Sequence, residues 1–280
     1  MINDQVWLDK VIKNALEEDL GPGDITTDSI IDSSVTGKAV LETREDIVLA
    51  GLPVFMRTFT LLNPDTSFKQ YYSDGQDIPA GKVICTVRGS MASILKAERT
   101  ALNFTQRMSG IATLTRKYVM EASSDRVKIL DTRKTAPGLR YLDKYAVPVG
   151  GGCNHRFGLY DGILIKDNHI AVAGSIGNAV RSAKKHAPHG IKVEVEVESL
   201  EGVMEAIESG ADAVLLDNMS YERMKEAVEF IDGRVLVEAS GGVNLNNIRQ
   251  IAETGVDLIS IGALTHSVRA VDLSLEVTHE

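Results

Sequence analysis

Cysteine is nearly missing from this 280-residue chain: Cys85 and Cys153 are isolated and lack metal-ligand spacing. That excludes a disulfide-stapled scaffold and a cysteine-built zinc site, and it fits a reducing, cytoplasmic compartment. Long hydrophobic runs are missing too. None approaches the ~20 residues that cross a bilayer, so no membrane is expected as partner. The first ten residues, MINDQVWLDK, show no basic segment followed by an apolar one, so no secretory signal is expected there. Positive charge is in deficit, with 30 Lys and Arg against 39 Asp and Glu and a formal net charge of −9. Nucleic-acid binding usually shows as a basic face or tail, so no nucleic-acid partner is expected. An anionic small molecule is not excluded, because a cationic pocket focuses field locally on an acidic protein. What remains, 44% hydrophobic and 25% charged residues, is ordinary for a globular protein of one large or two smaller domains.

The pattern along the chain changes twice. Residues 5–20 read as an amphipathic helix with Val6, Leu8, Ile12, Ala15, Leu16 and Leu20 on one face, closed by Gly21-Pro22-Gly23. Asp24-Ile25-Thr26-Thr27 reads as an ordered turn. Between Gly37 and Gly89 short strands are expected at 38–42, 47–50, 67–71 and 83–87, with a helix over 53–62. Residues 90–123 form one long helical region with a potential break at Ser109-Gly110. From Val127 onward, apolar strands at 127–130, 162–165, 193–197, 213–216, 235–237 and 258–261 alternate with helices, the last four starting roughly 22 residues apart. Parallel strands need crossover connections, so this repeat predicts a parallel sheet and favours an α/β barrel over an open doubly wound sheet.

In such barrels function sits at the carboxyl ends of the strands. The residues there are Thr132, Arg133 and Lys134; Lys166; Glu196 or Glu198; Asp217; Glu238-Ala239-Ser240; and Ile261-Gly262-Ala263. The glycine run at 150–152 delivers His155 and Arg156 nearby. Arginine pairs carboxylate or phosphate through a planar fork and lysine acts as a point charge, so this set suits a ligand with several negative charges. Any one of these cations alone reads as a solvated surface group, as does Arg99 on the long helix. Glu194, Glu196 and Glu198 share one strand face opposite Val193, Val195 and Val197. Pointed inward, such acids need cations, a metal or hydrogen bonds, and Lys134, Lys166 and Arg156 are the available partners. Glu196 with Asp217 suits either Mg²⁺ or ribose hydroxyls. Ser240-Gly241-Gly242, before a helix expected from Leu245, suits a phosphate grip, as does the glycine at 262.

The strings EEDLGPGDITT (17–27), AERTALNFTQRMSGIAT (97–113), DTRKTAPGLR (131–140), GGGCNHRFGLYDGILIKDNHI (150–170), EVEVE (194–198), LLDN (215–218) and EASGGV (238–243) carry a resemblance to the quinolinate phosphoribosyltransferases over essentially the whole chain. The resemblance implies an N-terminal α/β sandwich domain (1–110, rejoined by a tail at about 270–280) and a C-terminal incomplete, open TIM-like α/β barrel (111–270). It implies a homodimer, and potentially a higher oligomer, with Arg99 supplied across the interface. Arg99, Arg133, Lys134, His155 and Arg156 match the quinolinate pocket, and Thr132 is expected among the substrate-binding residues. Lys134, Lys166, Glu196 and Asp217 match groups around phosphoribosyl pyrophosphate (PRPP) and its Mg²⁺. Ser240, Gly241, Gly242, Ile261, Gly262 and Ala263 match the 5′-phosphate loops. The implied reaction makes nicotinate mononucleotide, pyrophosphate and CO₂ on the way to NAD. The competing readings are a molybdenum-transport-associated relative with the same fold, a Schiff-base aldolase barrel using Lys134 or Lys166, and a non-catalytic metabolite-binding protein.

Overall fold

The computed structural model describes residues 5–278. The first four residues of the amino-terminal stretch and the last two of the expected returning tail lie outside the described residues. In chain order come α1 (Gln5–Leu20), α2 (Ile25–Ile30), β1 (Thr36–Thr43), β2 (Ile47–Val48), α3 (Leu52–Leu62), β3 (Ser67–Gln70), β4 (Asp77–Ile78), β5 (Val83–Ser90), α4 (Met91–Ala122), β6 (Lys128–Leu130) and α5 (Arg140–Val149). Then follow β7 (Ile163–Ile165), α6 (Asp167–Ala173), α7 (Ile176–His186), β8 (Val193–Val197), α8 (Leu200–Glu208), β9 (Ala213–Asp217), α9 (Tyr221–Ile231), β10 (Leu236–Ser240), α10 (Ile248–Ala252), β11 (Leu258–Ser260), α11 (Ala263–His266) and β12 (Leu273–Thr278). The chain divides into two compact units: Met1–Arg116 with Thr135–Gly151 and Thr265–Glu280, and Lys117–Lys134 with Gly152–Leu264. Among the described residues no helix is long and apolar enough to cross a membrane.

The first unit is built on an antiparallel sheet ordered β12-β1-β5-β3, with a separate β2-β4 pair. Its core holds Leu41, Phe55, Phe59, Ile84, Leu102 and Leu275. On α1 the buried row is Leu8, Ile12 and Leu16. Val6, expected on that face, is 83% exposed. The segment expected as a turn at 24–27 starts α2 instead: the Asp24 carboxylate accepts hydrogen bonds from the Thr27 N–H, at 3.0 Å, and from its hydroxyl. An acid that satisfies an otherwise orphaned helix donor makes this an N-cap.

Helix α4 runs unbroken through Ser109-Gly110. The Ser109 hydroxyl accepts from the Ala50 N–H (3.0 Å) and donates to the Ala50 carbonyl (3.1 Å), so it serves another segment without interrupting its own helix. Gly110 is there for space: a Cβ would lie 2.3 Å from the Arg269 carbonyl oxygen.

The second unit is a parallel sheet ordered β6-β11-β10-β9-β8-β7. Every strand pair is parallel, as the alternating strand and helix pattern requires. Serine caps tie the crossover helices close to the strand ends: Ser175, Ser199 and Ser220 accept from the N–H groups of Asn178, Gly202 and Arg223. The valines of β8 are buried and its glutamates only partly so, which sets the face that Glu194 and Glu196 present.

Because the atom facing Gly110 is backbone, the neighbour cannot rotate away. Gly110→Ala is expected to cost about 1–3 kcal/mol through overpacking. Thermal denaturation checks this, and an unaltered midpoint would contradict the close-approach reading.

Candidate active site

At the carboxyl ends of the parallel strands lies a cavity of ≈ 320 Å³. Thr132, Arg133 and Lys134 enter it from the end of β6, His155 and Arg156 from the loop between α5 and β7, Lys166 from β7, Glu196 from β8, and Glu238 and Ser240 from β10. Ser260 of β11 joins them. A larger cavity of ≈ 580 Å³ in the first unit is lined by α1, α4 and residues 137–139. Its arginine, Arg107, is already forked onto the fully buried Asp143 by two bonds of 2.8 Å. Of these two cavities, the strand-end one has the convergent cations.

Backbone pairing explains how 153–156 reaches that cavity. The Cys153 N–H donates to the Ile129 carbonyl (2.7 Å), and the Asp131 N–H donates to the Cys153 carbonyl (3.2 Å). The segment thus runs as a short parallel bridge beside β6. The buried Asp131 carboxylate then accepts from the His155 N–H at 2.9 Å.

The His155 ring faces acids. Its Nε2 is 3.1 Å from Glu194 Oε2 and 3.6 Å from Glu238 Oε2. Its Nδ1 accepts from the Arg156 N–H at 2.7 Å. A backbone N–H can only donate, so Nδ1 carries the lone pair and the ring proton belongs on Nε2, directed at Glu194. The Arg156 guanidinium donates to the Gly162 carbonyl at 2.9 Å. Burial, and then the neighbouring Arg133 charge, push the Arg156 pKa down, while Glu194 and Asp161 oppose that shift. Two guanidinium groups held close enough to feel one another are poised for an anion between them.

Lys166 is ion-paired with Glu196. Asp217 stands half-buried at the end of β9 and accepts from the Asn218 side-chain amide at 2.9 Å. Ser240 lines the cavity, and the next two residues are in the left-handed region, Gly241 with φ 91° and Gly242 with φ 61°. A Cβ at Gly241 would lie 2.2 Å from Asn218 Oδ1, so only glycine fits there. The helix expected from Leu245 begins at Ile248 and is five residues long. Asn244 and Asn247 donate to the Gly242 carbonyl at 3.1 and 3.0 Å, folding 242–247 into a turn before the helix starts. Ile261 is buried with its N–H on the Leu130 carbonyl (2.9 Å), and Gly262 and Ala263 follow half-buried. Arg99 lies exposed on α4 in the other unit and does not line this cavity.

Two polar groups at this site are not singled out by the sequence, Asp131 and Ser260, while Glu194 and Glu238 are flagged there only as an inward-facing acid and a strand-end residue. The signal for Glu238 was readable. An acid in the apolar run Val235-Leu236-Val237, two residues from Ser240, shares the inward strand face with it.

A parallel α/β sheet that gathers paired guanidiniums, a lysine and carboxylates at its strand ends is an enzyme of the barrel type, built for a small, multiply anionic substrate. The quinolinate phosphoribosyl transferase N-terminal domain model matches residues 24–109, and the C-terminal domain model matches 111–276. A probable nicotinate-nucleotide pyrophosphorylase [carboxylating] of Bacillus subtilis is 42% identical over 97% of this chain and 93% of its own. A mitochondrial quinolinate phosphoribosyltransferase [decarboxylating] of Nicotiana tabacum is 42% identical over 98% of this chain and 83% of its own. Among solved structures, NadC from Streptococcus pyogenes superposes with a TM-score of 0.94 at 43% identity, over 97% of each chain. The nicotinate-nucleotide pyrophosphorylase from Francisella tularensis gives 0.91 at 43% identity, over 98% of this chain and 96% of its own. The chain belongs to the quinolinate phosphoribosyltransferase family.

Asp131 anchors the loop that carries His155 and Arg156. Asp131→Ala is expected to remove about 1–3 kcal/mol by leaving the His155 N–H without its acceptor. Faster hydrogen exchange at the His155 and Arg156 amides is the readout, and unchanged protection there would refute the anchoring role.

Proposed function

We infer that the chain transfers the phosphoribosyl group of PRPP to quinolinate with decarboxylation, a step in NAD biosynthesis. The observation that carries this is the strand-end cavity: Arg133 and Arg156 stand together opposite an ion-paired Lys166 and Glu196, in a chain matched end to end by the family. Quinolinate has two adjacent carboxylates, and two guanidinium forks satisfy them with charge-assisted hydrogen bonds of about 1.5–3 kcal/mol each.

In this reading Arg133, Arg156 and Thr132 hold and orient the acid, with His155 bracing the loop behind them. Lys134 and Lys166 face the pyrophosphate as its leaving charge grows. Glu196 and Asp217 take the ribose side, where their negative charge moderates the cation developing at C1. Ser240, Gly241 and Gly242, with Ile261, Gly262 and Ala263, receive the 5′-phosphate. The pyridine nitrogen attacks C1 and becomes a pyridinium. That positive nitrogen stabilises the electron pair left at ring C2 when the adjacent carboxylate departs as CO₂. The protein's part is placement and electrostatics, which can supply several kcal/mol through orientation alone.

Mg²⁺ fits the donor set. Glu196 and Asp217 end adjacent strands and offer hard oxygen ligands, the type this ion takes together with substrate phosphates. When bound it would neutralise charge on the pyrophosphate oxygens. Lys166 is held in an ion pair with Glu196, and a Schiff-base nucleophile would have to leave that pair first. We further propose a cytoplasmic homodimer in which the exposed Arg99 of each chain completes its partner's quinolinate pocket.

Purified protein should release pyrophosphate and CO₂ with quinolinate and not with nicotinate or nicotinamide. Equal turnover of nicotinate would overturn the decarboxylating assignment. Arg133→Ala or Arg156→Ala should weaken quinolinate use at least about tenfold while sparing PRPP affinity. Parallel loss of both affinities would reject that division of labour. For the shared site, Arg99→Ala and Arg133→Ala chains, inactive apart, should recover activity when mixed into heterodimers. Confirmed heterodimers that remain inactive would place Arg99 outside the neighbouring site.

A further inference from the structure

Beneath the cations lies a group that the proposed reaction does not use. Glu238 projects from the middle of β10 and is 1% exposed, and it still contributes to the cavity wall. Neither of its carboxylate oxygens has a hydrogen-bond partner within normal distance. The charged or titratable groups facing it are Glu194 from β8 and His155 from the loop beside β6, and β11 adds the Ser260 hydroxyl. The ligand-type atoms of His155, Glu194 and Glu238 lie within 4.8 Å of one another.

The charges in this cluster do not balance if both acids are ionised. His155 spends its Nδ1 lone pair on the Arg156 N–H and its Nε2 proton on Glu194 at 3.1 Å. The ring therefore gives its Nε2 proton to Glu194 and reaches Glu238 only at 3.6 Å. A fully buried carboxylate beside a second one, with a hydroxyl at Ser260 and no cation bonded to it, is the arrangement in which one acid keeps its proton.

We propose that Glu238 is held as an uncharged carboxylic acid under the quinolinate pocket and acts as a positioning residue, keeping His155 on Glu194 and sparing the bound dianion a buried negative charge. Burial first, then the Glu194 charge, push the Glu238 carboxyl up to about 7, with His155 and Ser260 acting in the opposite sense. The direction of the consequence follows from that sign. Above this pH Glu238 loses its proton to solvent, and the pocket gains a negative charge facing a substrate that is already a dianion. Quinolinate recognition is then weakened on the alkaline side only. The same linkage makes the ionised acid a cost to folding: stability falls as pH rises from the ordinary value of 4.5 to about 7.

The inference rests on the function proposed above. The test is the KM for quinolinate at saturating PRPP and Mg²⁺ from about pH 6 to about pH 8.5, in wild type and in Glu238→Gln, which copies the neutral acid in shape and charge. In wild type the KM should rise by up to ~10-fold per pH unit above about 7. In Glu238→Gln it should stay within about threefold across the range, because nothing remains there to ionise. PRPP ionisation affects both proteins alike, so the difference between the profiles is the readout. A variant that keeps the wild-type alkaline rise, or a wild type with no such rise, overturns the proposal. If the variant fails to fold, wild-type calorimetry in two buffers of different ionisation enthalpy decides: proton uptake on quinolinate binding near pH 7.5 supports it, and none overturns it. Wild type that does not turn over quinolinate at all would instead defeat the functional reading itself.

Discussion

The site depends on how a strand that points acids inward finds a different counter-group for each of them. Strand β8 alternates Val and Glu, so burying the three valines against the helices sends Glu194 and Glu196 toward the cavity. The two carboxylates on this face have separate partners. Lys166, at the end of the neighbouring strand β7, takes Glu196, and His155 takes Glu194. Each pairing requires its own backbone support. The histidine needs the bridge of Cys153 to β6 and the buried Asp131 that holds its N–H. With Glu196 and Glu194 engaged in this way, Arg133 and Arg156 line the cavity beside them.

This arrangement explains why so much of the site could be read from the chain before its shape was known. Strand-end position is a consequence of the period-2 and crossover pattern, which the apolar runs carry openly. Lys166 was already among the plausible partners of the inward acids, and it is the one that reaches Glu196. The pairing of Glu194 was not readable, because Lys134, Lys166 and Arg156 were the partners in view and the outcome turns on a tautomer. Nδ1 of His155 is claimed by the adjacent backbone N–H, which no residue pattern announces. The helix starts were misread for a related reason. At Asp24 and at Asn244 the deciding event is one short polar side chain choosing between a cap and a turn, a local competition that composition leaves balanced. Gly110 shows the opposite failure. It was read as a helix break when its use is close approach to the backbone at Arg269, a contact 159 residues away in sequence.

An acidic protein that binds acidic substrates looks contradictory only if charge is averaged over the molecule. The surplus of nine negative charges belongs to the whole sequence, whereas the substrate meets the field of one cavity. In that cavity the acids are mostly engaged: Glu196 with a lysine and Glu194 with an imidazole N–H. Arg133 and Arg156, by contrast, sit close enough for each to oppose the other's charge, an unfavourable contact in the empty pocket. In the proposed complex a dianion between them offsets that repulsion. On the proposed binding mode, a preference for two adjacent carboxylates follows from this same contact. A monocarboxylate can settle one guanidinium and leaves the other still facing its neighbour, so it recovers less of that repulsion. On the proposed function, holding two like charges side by side is thus the feature that separates a diacid from its singly charged analogue.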